Sequence, residues 1–240
     1  MTAPLLTTHA LDAFYGDFQA IFGIDFAINT GEAVAIIGAN GAGKSTFLKT
    51  LTGLLTAPPD RVRFDGQPIG GMRASDIVKL GIAMVPEGRR LFPSLSIHEN
   101  LLIGTHAGRK GPWTLERIYT LFPSLRELRD RPGNAVSGGQ QQMAAIGRAL
   151  LANPRLLICD ELSLGLAPII VKSLYDTLPA ILAEGLTVIV VEQDVAIAQR
   201  TTSRLYCFQE GRVSLSGPSG QLTRAAISKA YFGIEEAGTR

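Results

Sequence analysis

A chain of 240 residues, 46% hydrophobic and 18% charged, is long enough for one large α/β domain or two small ones. Its formal charge of +2, with no block of five or more Lys/Arg, argues against nucleic acid as a partner. Cys159 and Cys207 lie in strand-like stretches and read as buried thiols, so no disulfide framework and a reducing compartment are expected. The start, MTAPLLTTHALDAFYG, lacks a basic segment followed by an apolar core, so no signal peptide is expected. Runs such as LTVIVV at 186–191 are far too short to cross a membrane. The chain is therefore expected to be soluble by itself and, if it works at a membrane, to be held there by another component.

Along the chain, short β-branched runs alternate with helix-length segments. Ala33–Ile37, Ile82–Val85, Leu156–Asp160 and Thr187–Val191 are almost continuously apolar, as strands covered on both faces of a mostly parallel sheet should be. Directly after the first comes Gly38-Ala39-Asn40-Gly41-Ala42-Gly43-Lys44-Ser45-Thr46, then the helical segment STFLKTLTGLL. This is the P-loop pattern, and each residue type has a reason. Glycines let several N–H groups face one anion, and the helix start adds its positive dipole end. Lys44 supplies charge for the β- and γ-phosphates, and the Ser45 hydroxyl suits Mg²⁺. Upstream, Tyr15 offers an aromatic face on which a base can stack.

The stretch between the second and third strands carries helical signals and no good strand. Ser96 and Glu99 fit a capping box, and Ile118, Leu121, Phe122 and Leu125 follow helical spacing. Ser137-Gly138-Gly139-Gln140 then opens the helical run QQQMAAIGRALLANP. The next strand, RLLICDE, ends in Asp160 and Glu161. Lying beside the P-loop strand, it would bring Asp160 near the metal through water, with Glu161 orienting or deprotonating the attacking water. RLYCFQ and RVSLSG flank Glu210-Gly211 as a hairpin, and a last helix is expected over Gln221–Phe232. An Asn-Lys-x-Asp element for guanine is absent.

In their order, Tyr15, the P-loop, the helical stretch, SGGQ, RLLICDE and VVEQD closely resemble the ATPases of ABC transporters along nearly the whole chain. The resemblance implies an α/β P-loop NTPase (ABC ATPase) core with a mostly parallel sheet, N-terminal antiparallel strands and a helical subdomain. One domain over 5–240 is expected, with its core at about 5–87 and 154–217, the helical subdomain at about 88–153 and a C-terminal helix at about 218–234. It implies ATP as the nucleotide, bound with Mg²⁺. It also implies that Ser137, Gly138, Gly139 and Gln140 close over the γ-phosphate of an ATP held by a partner's P-loop, across a two-fold or pseudo-two-fold interface. A lone chain would own one half of each pocket.

Three positions depart from the general pattern: Glu87 where glutamine is usual, Gln193 where a histidine contacts the γ-phosphate, and Leu162 where proline follows the glutamate. Glu87 can still accept a metal or its water, and Gln193 can donate but cannot titrate. Leu162 is expected to let Glu161 sit less firmly than proline would. VPEGRRLFPSLSIHENL, DELSLGLAP and VEQ, with the tail AAISKAYFGI, are similar to the LivF-type subunits of branched-chain amino-acid importers. That likeness implies transmembrane permease subunits, a second ATP-binding subunit, an external solute-binding protein, and a place on the cytoplasmic face of the inner membrane. Around 86–106, Leu91, Phe92, Leu95 and the helix from Ile97 are expected to receive a permease segment, although core packing explains the same residues. Importers of amides, urea or other amino acids, a soluble ABC ATPase acting on DNA or ribosomes, and a scaffold without useful turnover remain as alternatives.

Overall fold

A computed structural model describes residues 3–232. In chain order the strands and helices are β1 (Leu6–Tyr15), β2 (Phe18–Ile28), β3 (Ala33–Ile37), α1 (Lys44–Leu51), β4 (Val62–Phe64), β5 (Gln67–Pro68), α2 (Ala74–Leu80), β6 (Ile82–Val85), α3 (Ile97–Leu102), α4 (Leu115–Leu121), α5 (Pro123–Glu127), α6 (Gly138–Leu150), β7 (Leu156–Asp160), α7 (Pro168–Tyr175), α8 (Leu178–Ala183), β8 (Thr187–Glu192), α9 (Val195–Thr201), β9 (Arg204–Gln209), β10 (Arg212–Pro218) and α10 (Arg224–Phe232). They group into two compact units, Met1–Arg73 with Ile189–Arg240, and Ala74–Val188.

The first unit contains an antiparallel sheet of order β2-β1-β4-β5, in which Leu6 faces Ile28 and Phe64. Side chains on β1 alternate between buried and accessible, so one face of this sheet is covered. In the unit's other sheet β3 lies between β8 and β9. Pairing of β3 with β9 is parallel, Ile37 opposite Cys207. The expectation that the RLLICDE strand lies beside the P-loop strand is therefore corrected. β8, buried along its whole length, holds that position, as a strand needing cover on both faces and both edges should. The β9–β10 hairpin forms as expected, with Glu210 (φ 48°) and Gly211 (φ 74°) both left-handed at its turn. Phe47 of α1 meets Phe26 and Phe208, each with ring centroids 5.3 Å apart, which fixes the P-loop helix against β2 and β9. Below the same strands, Ala35, Ile37, Leu205, Cys207, Ala198 of α9 and Ile227 of α10 form one buried cluster.

In the second unit β6 and β7 pair in parallel, Ile82 opposite Leu156. The residues between them are helical, α3 to α6, and Ser96 and Glu99 form the expected capping box of α3. The helical run through Ile118 and Leu125 is two helices rather than one. Pro123 forces the preceding Phe122 out of helical geometry (φ −128°, ψ 77°), while Ile118, Phe122 and Leu125 still face the core. α6 packs so closely that a Cβ on Gly147 would come within 2.7 Å of Ile118 and 2.8 Å of Leu101. In the first unit the last helix begins at Arg224 instead of Gln221, because the Thr223 hydroxyl caps it by accepting from the Ala226 N–H at 3.1 Å. The end of the expected C-terminal helix, at residues 233–234, lies outside the described residues.

Candidate functional site

β3 is buried throughout, which anchors the start of the P-loop. A Cβ on Gly38 would sit 2.4 Å from the Phe208 carbonyl oxygen, so only glycine lets the chain turn this close to β9. Gly43 ends the loop with φ 97° as the N-cap of α1 and offers no side chain to that helix. The first N–H groups of α1 thus remain for an anion. Lys44 is 4% exposed, and its Nζ donates to the carbonyls of Gly38 (2.7 Å) and Ala39 (3.1 Å). A buried ammonium wrapped by its own loop is a fixed positive centre at the helix start. Ser45 and Thr46 follow on the first turn.

Two remote residues meet this loop within the same unit. Gln193, just after β8, donates from Nε2 to Asn40 Oδ1 at 3.1 Å across a separation of 153 residues. Its neighbour Asp194 caps α9 by accepting from the N–H groups of Ala196 (2.8 Å) and Ile197 (3.1 Å), which sets the direction of the chain at Gln193. Tyr15 ends β1, 44% exposed as a residue, with its hydroxyl 3.5 Å from the Thr46 hydroxyl. Lys49 donates to that hydroxyl at 3.4 Å and lies 5.6 Å from the ring centroid. Lys49, the residue that steadies Tyr15, was missed in the sequence. The spacing of Thr46 and Lys49 on one helix face was the available signal.

The second unit carries the remaining candidates. β7 is buried up to Asp160, itself 4% exposed, and Glu161 follows with φ 48°, a left-handed conformation rare for a residue with a Cβ. Leu162 is 6% exposed, so the loop is pinned by a buried aliphatic side chain rather than by a proline ring. Proline at 162 would bias Glu161 away from helical geometry, whereas leucine imposes no such restriction. Glu87 is exposed on the loop after β6.

SGGQ forms a reciprocal capping box. The Ser137 hydroxyl accepts from the Gln140 N–H at 3.3 Å, and Gln140 Oε1 accepts from the Ser137 N–H at 2.9 Å. The first helical bond runs from the Gln141 N–H to the Ser137 carbonyl at 2.9 Å. The amides of Gly138 and Gly139 precede it and point out of the helix end. Gly139 is also required by packing, since a Cβ there would lie 2.7 Å from Ile170 Cγ2. Gly138 has the Arg89 guanidinium beside it, 3.1 Å from where its Cβ would be. Arg89 and Arg148 were not singled out by sequence; an arginine at position 148, inside the apolar stretch AAIGRALL, was the visible signal for one of them.

Among the described residues no group of three or more His, Cys, Asp or Glu is arranged to hold a metal ion. The Ser45 hydroxyl and the Asp160 and Glu87 carboxylates are hard oxygen donors of the kind Mg²⁺ takes, water and phosphate oxygens completing its shell. No helix of the described residues is long and apolar enough to cross a membrane.

A strand running into a glycine loop that encloses a buried lysine and opens a helix defines a P-loop nucleotide-binding protein. Residues 21–163 match the ABC transporter family, and the chain belongs to it as an ATPase subunit. It is 39% identical over 232 residues to the high-affinity branched-chain amino acid transport ATP-binding protein BraG of Pseudomonas aeruginosa, covering 95% of this chain and 100% of that protein. It is 31% identical to the probable branched-chain amino acid transport ATP-binding protein LivF of Archaeoglobus fulgidus, covering 91% and 94% respectively. Among solved structures, a nucleotide-free ATP-binding cassette from an ABC transporter superposes with a TM-score of 0.84 at 26% identity, covering 96% of this chain and all of the other.

Proposed function

We propose that the chain binds and hydrolyses ATP to power import of branched-chain amino acids, as a peripheral subunit on the cytoplasmic face of the cell membrane. The observation that carries the site reading is the Gln193 amide held against the apex of a loop whose lysine is already buried beneath it. Both likeness to BraG and the VPEGRR and VEQ stretches support the choice of solute class. The partners under this reading are transmembrane permease subunits, a second ATP-binding subunit and, indirectly, a solute-binding protein.

In this reading the backbone N–H groups of Gly38–Thr46 and the Lys44 ammonium bind the phosphates, and Tyr15 stacks on the base. Ser45, Asp160 and Glu87 are the oxygen groups for the metal, directly or through water. Mg²⁺, when bound, neutralises charge on the β- and γ-phosphates. Gln193 donates a hydrogen bond to the γ-phosphate without changing its own charge. Glu161 orients the attacking water and takes its proton. Ser137, Gly138, Gly139 and Gln140 serve the nucleotide on the partner's P-loop, so hydrolysis removes the phosphate that joins the two subunits.

The test is phosphate release by the chain reconstituted with its permeases, the partner's own site disabled. Glu161→Gln should keep ATP binding and slow turnover by roughly a hundredfold or more. Near-normal turnover in that variant removes Glu161 from the reaction. Uptake of leucine, isoleucine and valine should stop when the chain is deleted; undiminished uptake refutes the transport assignment.

A further inference from the structure

Gly88, Arg89 and Arg90 form a run of three left-handed residues, with φ 75°, 64° and 48°. Such a run is not self-supporting when two of its members carry side chains. Its internal bond, from the Arg90 N–H to the Gly88 carbonyl at 2.6 Å, closes a tight turn that throws the next two carbonyls to one side. There Arg148 of α6 meets both: Nη1 donates to the Arg90 carbonyl at 2.8 Å and Nη2 to the Arg89 carbonyl at 3.1 Å. A planar guanidinium reaches the two acceptors through two nitrogens in a fixed fork, whereas a lysine has one nitrogen on a flexible stem. Burial lowers the Arg148 pKa, as partial desolvation of a cation does.

The Arg89 side chain then returns to the beginning of the same helix. Its Nη1 donates to Gln141 Oε1 at 3.4 Å, and its guanidinium lies against Gly138. Gln141 is fixed in turn by donating from Nε2 to the Gly133 carbonyl at 2.9 Å. The loop that carries Glu87 is thereby fastened to α6 at two points, about 10 Å apart along the helix axis at 1.5 Å per residue. Neither the loop nor the SGGQ start can shift alone without breaking a charge-assisted hydrogen bond.

We propose that Arg148 and Arg89 are positioning residues that join the Glu87 loop to the Ser137–Gln140 segment and so couple the two nucleotides of an ATPase pair. This rests on the reading above, in which Glu87 serves the chain's own nucleotide and SGGQ the partner's. A nucleotide that draws in the Glu87 loop sets the amides of Gly138 and Gly139 for the other nucleotide, which is a coupling free energy between the two sites.

The test uses the full chain for hydrogen exchange and the reconstituted transporter for ATP dependence. In Arg148→Lys and Arg148→Met, amides at 89–90 and 140–141 should exchange faster together, while the other amides of α6 keep wild-type protection. The Hill coefficient for ATP should fall toward one and kcat about tenfold or more, a misplacement effect, with nucleotide affinity of the isolated chain within about twofold of wild type. Arg89→Met, which cuts only the second tie, should lower the Hill coefficient while 89–90 stay protected. An unchanged Hill coefficient in both Arg148→Lys and Arg89→Met overturns the proposal. Faster exchange throughout α6 overturns it too, because it marks a purely structural role. Hydrolysis by Glu161→Gln, measured alongside, reports separately on the catalytic reading, and the exchange result does not depend on it.

Discussion

Glu161 combines a proposed catalytic carboxylate with a left-handed backbone, φ 48°, and the two can be separated by substitution. A residue with a Cβ in this conformation costs about 1–2 kcal/mol, whereas glycine adopts it freely. Glycine also gives the unfolded chain extra freedom, which offsets about 0.5–1 kcal/mol of that gain. Glu161→Gly should therefore be more stable than Glu161→Gln by roughly 0.5–1 kcal/mol, although both lose the carboxylate. With a urea dependence of about 2 kcal/mol per molar, the midpoint should rise by about 0.3–0.5 M. Urea unfolding of the full chain followed by circular dichroism measures this, and phosphate release by the reconstituted transporter measures the other half. Turnover should be low in both variants. A Glu161→Gly midpoint equal to or below that of Glu161→Gln would show that the backbone holds no strain here. The argument that this proposed site is built at the expense of stability would then be lost.

Gly139→Ala should destabilise by about 1–2 kcal/mol, since the overpacking at Ile170 Cγ2 outweighs alanine's better helix propensity. Ile170→Ala in the same chain should recover most of that loss, and strictly additive effects in urea unfolding would contradict the packing argument. Gln193→Ala should leave nucleotide affinity within about twofold and slow turnover about a hundredfold, as loss of a donor to developing charge does. Gln193→His should add a titration between about pH 5 and 8 that the wild type lacks, and an unchanged rate and profile would place the side chain away from phosphate. Burial raises the Cys207 pKa, so the unfolded chain releases that proton at lower pH than the folded one. The stability it contributes is full below the ordinary thiol range and is lost as pH rises through and above it. A thiol reagent at pH 8 should accordingly label neither Cys207 nor Cys159 until urea unfolds the chain, and rapid labelling of the folded protein would refute their burial.

Local chemistry was readable from sequence where every participant is contiguous. The P-loop needs its glycines and lysine within one short stretch, and the Ser96–Glu99 box needs residues three apart, so pattern and geometry coincide. The break at Phe122 was visible in principle, because Pro123 follows it, but hydrophobic spacing runs across the break unchanged and outweighed the proline. Strand order is a different matter. β8 and β7 are equally apolar, and nothing in either tells which lies next to β3. The Gln193–Asn40 bond joins residues 153 apart, and only the cap at Asp194 hints at where the Gln193 amide is aimed. Arg148 escaped notice because an arginine in an apolar helix reads as an accessible break, whereas its partners are carbonyls, which every residue possesses.

The two elements proposed to bind phosphate differ in how complete they are without it. At Ser137 the hydroxyl accepts from Gln140 through a lone pair and keeps its proton for donation, while the glycine amides precede the first helical bond. That end is already complete as a helix start, its capping box formed before any anion arrives. The P-loop helix has no side-chain cap at Gly43, and its lysine is held by loop carbonyls, so an anion there supplies the missing cap. Nucleotide should consequently stabilise the P-loop unit strongly and the SGGQ helix only slightly in an isolated chain. Strong protection of both by ATP in a monomer would mean that a single copy already encloses its nucleotide, and the two-chain pocket would have to be abandoned.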